Sequence, residues 1–283
     1  MRARALRRAA LLGLASLLFG SAPARATEAP LWELGLGVGA FAFEDYRGAD
    51  QSHVYPLPVV YFLYRGTFLK SDRDGVRGLF FHNRWVEFNV SVNATTPVRS
   101  SGNDARGGMP DLRPTFEIGP SLDVHLWQPG DGRLRLDLRL PVRRAVTIEH
   151  DPRAIGWFFA PRLNLDWRDP GGHEGLNVGL LTGPLFGDRA YHSYFYSVAP
   201  EFVTPVRPGY QAPGGYSGTE SIAALSRRYP KVWVGAFVRY DTLAGAAFLP
   251  SPLVRRHNYW AGGFGIAWMV GKSSRLVETG NVP

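Results

Sequence analysis

The chain contains no cysteine, which removes disulfides, thiolate metal sites and cysteine nucleophiles from consideration. After the first 26 residues no apolar run approaches the roughly 18 residues that a membrane helix needs. Metal-ligand spacing is missing too: the seven histidines, His53, His82, His125, His150, His173, His192 and His257, are dispersed and form no HExxH pattern. Neither a GxxxxGK-S/T phosphate loop nor a dinucleotide fingerprint occurs, so no cofactor is implied. Lysine is scarce, with Lys70, Lys231 and Lys272 the three among 32 basic residues. If such a chain sits in a membrane, it does so as strands.

What is present begins with residues 1–26. Arg2, Arg4, Arg7 and Arg8 precede an apolar run from Ala9 to Phe19, and small residues lead to Ala24-Arg25-Ala26. This is the tripartite pattern of a secretory signal peptide cleaved after Ala26, and its apolar run is too short to span a bilayer. Without a lipobox cysteine, a lipoprotein anchor is excluded. Removing the five arginines of this segment lowers the formal charge from +8 to +3, since 8 − 5 = 3. The basic balance is therefore partly a property of the signal, and nothing in it points to nucleic acid, which calls for a clustered basic patch on a binding fold.

The mature chain alternates apolar with polar or glycine residues at period two. In Arg133-Leu134-Arg135-Leu136-Asp137-Leu138-Arg139-Leu140 four leucines share one face of an extended strand and the charges share the other. Leu34, Leu36, Val38, Ala40 and Ala42 likewise oppose Glu33, Gly35, Gly37, Gly39 and Phe41. The pattern recurs from Val86 to Asn93, from Glu117 to Leu126, from Val232 to Arg239 and from Tyr259 to Trp268. Strands are expected near 31–43, 57–70, 76–82, 85–94, 116–127, 133–147, 155–167, 175–186, 190–203, 219–229, 231–242 and 258–270. That makes twelve, within a range of ten to fourteen, because Arg65-Gly66 could be a hairpin turn splitting the second stretch. Turn residues cluster between them, as in Gln128-Pro129-Gly130-Asp131-Gly132 and Asp169-Pro170-Gly171-Gly172. Longer connections fall at 44–56, 95–115, 204–218 and 244–257. Counting through the strand list places 95–115 on the periplasmic side and the other three outside.

The expected fold is all-β, an antiparallel transmembrane β-barrel over residues 27–270 followed by a polar tail, 271–283. A soluble β-sandwich would alternate as well, but three features oppose it. Several segments reach nine to thirteen residues, near the length of a tilted membrane strand. Glycine fills much of the polar face, which suits a crowded interior. Aromatic residues gather toward strand ends, among them Trp32, Trp127, Trp157, Trp167, Tyr240, Trp260 and Trp268, as rings at a bilayer interface do.

Parity directs Arg133, Arg135, Asp137, Arg139, Arg162, Asn164, Asp166, Arg239 and Asp241 into the interior. Mixed charges there can line a selective channel, or pair across the interior and plug it. Catalytic signals are weak. Asp123 and His125 share a face and could orient an imidazole for base catalysis, yet two lumenal polar residues bonded to nearby arginines explain them as well. Gly214-Gly215-Tyr216-Ser217-Gly218 fails as a nucleophile elbow, because Gly218 follows the serine directly.

Several ordered pieces carry a resemblance. They are Leu31 to Gly39, Tyr55-Pro56-Leu57-Pro58-Val59-Val60-Tyr61, Arg113-Pro114 with Gly119-Pro120-Ser121-Leu122, the aromatic run Tyr191 to Tyr196, Gly215-Tyr216-Ser217-Gly218, and Ser251-Pro252-Leu253-Val254-Arg255-Arg256 leading into Asn258 to Val270. Together they resemble the MipA/OmpV family of outer-membrane proteins across the mature chain. The resemblance implies a non-enzymatic barrel in contact with outer-membrane lipid. Its named member brings the lytic transglycosylase MltA together with a bifunctional penicillin-binding protein of murein synthesis, and other members are described as porin-like. No catalytic residues belong to the family, so none are carried over. The tail after Trp268-Met269-Val270 departs from barrels that finish on an aromatic residue. Three functions therefore stand as expectations: an envelope scaffold, a narrow channel for small solutes lined by the inward arginines, and a barrel hydrolase using His125.

Overall fold

The computed structural model describes residues 28–65, 69–72, 75–130 and 132–278. The expected export signal, residues 1–26, and the end of the polar tail lie outside them. Strands follow in the order β1 (Glu28–Pro30), β2 (Trp32–Glu44), β3 (Ser52–Arg65), β4 (Leu69–Asp72), β5 (Gly75–His82), β6 (Val86–Ala94), β7 (Thr115–Trp127), β8 (Leu134–Thr147), β9 (Ala154–Phe159), β10 (Arg162–Arg168), β11 (Leu176–Gly187), β12 (Gly215–Arg228), β13 (Val232–Thr242), β14 (Asn258–Lys272) and β15 (Leu276–Glu278). One α-helix, α1, spans Arg189–Tyr196.

From β2 to β14 each strand pairs antiparallel with its neighbours, and β14 returns to β2 through Gly262↔Ala42 to Lys272↔Glu33. β9 and β10 are two halves of one stave broken at Ala160-Pro161, each pairing with both β8 and β11. The sheet is thus a closed barrel of twelve staves, which leaves no outer edge at the seam of first and last strands. β1 and β15 pair separately, Glu28↔Glu278 to Pro30↔Leu276, so the two ends of the described chain are clasped together.

The alternation sets which face is which. Val38, Phe264 and Trp260 point outward and are 62%, 65% and 68% exposed, whereas Asp137 and Ala267 point inward and are buried. Trp85, Trp127, Trp167 and Trp268 ring the short-turn end, and Trp157, Tyr240 and Trp260 the opposite end. From Trp260 to Trp268 the chain covers about 26 Å along the strand at ~3.3 Å per residue, before tilt, a span matched to the apolar belt of an outer-membrane barrel. Among the described residues no helix is long and apolar enough to cross a membrane.

The count of twelve is reached by a different route from the one expected. The stretch 57–70 holds two strands, β3 ending at Arg65 and β4 starting at Leu69. The stretch 190–203 holds none: it forms α1, capped by Asp188, whose side chain accepts from the Tyr191 N–H at 2.7 Å. The added strand and the lost one cancel in number but invert direction between them, so the sidedness expected for 95–115 is wrong. The connections 45–51, 95–114, 188–214 and 243–257 all leave the same end of the barrel. The turns after β5, β7, β10 and β12 lie at the other end with β1 and β15.

With the apolar strand faces turned outward, the buried apolar core sits among the loops. Tyr46, Val98, Leu112, Tyr196, Val198, Leu243, Phe248 and Leu253 pack together over the loop end, contributed by all four long connections. Polar bonds tie the same loops: Tyr46 donates to the Leu253 carbonyl (2.8 Å), Tyr196 to the Arg47 carbonyl (2.9 Å) and Ser251 to the Tyr196 carbonyl (2.7 Å). The result is a folded cap.

Candidate functional site: the barrel interior

Inward parity on β7, β8 and β10 builds one charged wall. Arg135 Nε lies 2.9 Å from Asp137 and its Nη2 3.7 Å from Asp166. Arg139 stands between three carboxylates, 3.5 Å from Asp166, 3.8 Å from Asp137 and 3.9 Å from Asp123. Asn164 donates to Asp166 at 2.6 Å, and His125 Nδ1 donates to Asp137 at 2.8 Å. Asp123 takes Ser121 (2.7 Å) and Asn89 (3.1 Å), so the two residues weighed for base catalysis have different partners and meet through Asp137 and Arg139.

A second cluster lies nearer the cap. Arg162 reaches Glu220 at 3.1 Å, Arg239 reaches Asp241 at 2.8 Å and Glu220 at 3.9 Å, and Arg47 descends from the first long loop to Asp241 at 2.9 Å. Asp241 is fully buried, a position a carboxylate keeps only with such partners. Arg47 also donates to the Ser217 carbonyl at 2.6 Å, tying the cap to the wall. Beside it Arg143 Nε sits 3.1 Å from Glu117, whose other oxygen takes the Tyr191 hydroxyl of α1 at 2.9 Å.

The residues that parity directs inward are thus placed along the interior with one departure. Arg133 stands on the exposed rim at the short-turn end, where its carbonyl accepts from the Arg168 N–H. Sequence reasoning did not single out Arg47, Arg143, Glu220 or Glu33, the last held by Arg65 (2.9 Å) and Arg228 (2.8 Å) at the short-turn end. Strand parity could have found Arg143 and Glu220. Arg47 lies in a loop and gave no periodic signal.

Between those clusters, at mid-height, the opposite wall from β13 through β14 and β2 to β3 is apolar. Phe41, Phe43 and Phe237 stack with centroids 6.2 to 6.3 Å apart, and a side chain at Gly263 would collide with the Phe41 ring. A cavity of about 420 Å³ lies between the two walls, with Phe41, Val59, Trp233 and Phe237 on one side and Arg139, Arg162, Asn164 and Asp166 on the other.

One further pair resembles catalytic geometry. His192 Nδ1 lies 2.6 Å from the Pro213 carbonyl, which can only accept, so Nδ1 carries the hydrogen and Nε2 accepts from Ser217 Oγ at 2.6 Å. Both residues are buried, at 0% and 2% exposure, and burial lowers the imidazole pKa from its ordinary value. The pair anchors α1 to the start of β12. Among the described residues, no group of three His, Asp or Glu side chains is placed to hold a metal ion.

Two solved structures align with the chain at 11% identity. Outer membrane phospholipase A from Escherichia coli aligns over 86% of this chain and 91% of its own, with a TM-score of 0.34. The CymD monoaromatic hydrocarbon channel aligns over 87% and 68%, with a TM-score of 0.27. No curated protein sequence matches the chain. The family model described as MltA-interacting protein MipA matches residues 36–270, from within β2 to within β14. The chain belongs to the MipA family.

Proposed function

We propose that this protein is an outer-membrane scaffold that recruits murein-processing enzymes, a lytic transglycosylase and a penicillin-binding protein, at its periplasmic end. The family description, an interaction with MltA, supports the transglycosylase, and the penicillin-binding protein follows from the resemblance noted above. The observation that carries the reading is the pairing of the interior charges beneath a folded cap. Charges that would line a channel are paired with one another, and four loops fold into a cap over one mouth.

In bacterial barrels short turns and termini face the periplasm, which puts the short-turn end towards murein. That rim exposes Arg84, Arg133, Lys231, Lys272 and Arg275 against Glu28 and Glu174, a positive surface suited to an acidic partner. Photo-reactive groups placed at Arg84, Lys231 and Arg275 in intact envelopes should yield adducts with murein enzymes, and the same groups at Val206 on the loop end should not. Adducts with no murein enzyme from the short-turn rim, or only from the loop end, would sink the scaffold reading.

A further inference from the structure

The barrel wall is uneven in height. Residues 66 to 85 between β3 and β6 hold two strands, β4 of 4 residues and β5 of 8, whereas β3 itself has 14. β3 meets β4 only at Tyr64↔Ser71 and Arg65↔Lys70, and β6 meets β5 only from Glu87 to Asn89. Among the described residues, no strand pairs with the β3 edge from Ser52 to Leu63 or with the β6 edge from Val90 to Ala94. A slot therefore opens in the wall above the β4–β5 hairpin. It is closed at the top where Asn103 donates to Asp45 at 2.7 Å and Asp45 holds His53 at 2.9 Å.

Unpaired backbone at membrane depth is tolerated only where it lines a cavity or is covered. The occupant of this slot is not another strand. The Arg65 N–H points to Leu31 on the β2 side, so odd-numbered N–H groups of β3 face β2 and even-numbered ones face the slot. Pro56 and Pro58 belong to the even set, so the edge lacks two donors and carries two rings there, which resists strand addition. Outward residues beside the slot are apolar: Val54, Val60 and Val92 are all exposed. Leu57 points inward yet is 39% exposed, as expected beside an opening.

The two-faced cavity reaches β3, the strand that bounds one side of the slot, at Val59. Its volume falls within the range of about 300–1,000 Å³ typical of small-molecule sites. The charged residues on its lining are Arg139, Arg162 and Asp166; Arg139 is shared among Asp123, Asp137 and Asp166, and Arg162 reaches Glu220 through Nη2. Arg162 Nε is buried without a hydrogen-bond partner. We infer that the cavity binds a single-chain anionic amphiphile, a long-chain fatty acid in chemistry, which enters from the bilayer through the β3–β6 slot. Its acyl chain lies along Phe41, Val59, Trp233 and Phe237, and its carboxylate meets Arg162 and Arg139. The site is independent of the scaffold reading, since enzyme recruitment uses the rim and can fail with the cavity intact.

The test uses the mature protein in neutral-detergent micelles, titrated with a fatty acid brominated near its methyl end while tryptophan fluorescence is read. Trp233 lines the cavity, whereas Trp157, Trp167, Trp260 and Trp268 face outward. A saturable quenching component should appear and vanish in Trp233→Phe. Arg162→Gln, and a bromo-alcohol of the same length, should each weaken it at least tenfold. Ala224→Phe fills the cavity from β12 without removing a charge and should abolish it. Quenching that does not saturate, that survives Trp233→Phe, or that favours the alcohol equally would overturn the site. For the route, a photo-reactive label on Leu57→Cys, in a chain with no other cysteine, should capture the fatty acid. Adducts only with phospholipid or with a second polypeptide would overturn lateral entry.

Discussion

Arg47 connects the cap to the wall through a single guanidinium. It bonds Asp241, the Tyr259 hydroxyl at 3.1 Å and the Ser217 carbonyl, a set that a lysine's point charge cannot reproduce. Removing one partner of a buried ion pair strands the other, at about 3–5 kcal/mol for a lone pair. Asp241 keeps Arg239, so Arg47→Ala is expected to cost about 2 kcal/mol. The check is urea denaturation in micelles, followed by the loss of the compact form on gels, with Arg47→Lys recovering only part of the effect. His192 gives the cap a pH dependence. Its folded pKa lies below the ordinary 6.5, so between the two values the unfolded cap binds the proton and the folded cap does not. The contribution of His192 is complete above about pH 6.5 and declines as pH falls through the folded pKa. Protease nicking within 188–214 should therefore accelerate on acidification, and His192→Gln should flatten that dependence.

Closure of the sheet rests on the β2–β14 pairing, and there the two backbones approach too closely for side chains. A Cβ at Gly37 would collide with the Ile266 carbonyl and the Ala267 backbone. Gly37→Val is expected to block closure, leaving a chain that migrates as unfolded without heating. Gly102→Ala, in open space on the second long connection, should be neutral. The glycine-rich face of 31–43 was legible in sequence because period two separates it cleanly from Leu36 and Val38. Strand existence was legible wherever such alternation ran for eight residues or more. The division of 57–70 was open in the sequence, where Arg65-Gly66 could be a hairpin turn, and β3 does end at Arg65. One element escaped for a physical reason. The segment Tyr191 to Tyr196 is apolar-aromatic and short, a length at which strand and helix patterns coincide. Its helix is settled by the Asp188 cap and by Tyr191 and Phe195 meeting one turn apart, with centroids at 5.2 Å. The charged interior was readable from parity alone, but its pairing partners were not, because pairing depends on which strands become neighbours.

At the scale of the whole molecule, paired charges crowd the interior and a folded cap covers one mouth among the described residues. Purified protein in planar bilayers is expected to show no stepwise conductance. Replacing 189–212 by a short Gly-Ser link should produce it, and Arg139→Ala should then change its ion selectivity. Stepwise conductance from the intact protein, altered by Arg135→Ala or Arg139→Ala, would favour the channel reading over the scaffold. The pairing of Glu28–Pro30 with Leu276–Glu278 has a topological corollary. A ring has no privileged starting point, and here the gap in the ring is already bridged by three residue pairs. A gene rearranged to fuse residue 278 to residue 28 by a brief linker, and to begin instead within the hairpin loop 128–133, should still encode the same cylinder. The order in which staves are delivered to the membrane would change, while the order in which they stand would not.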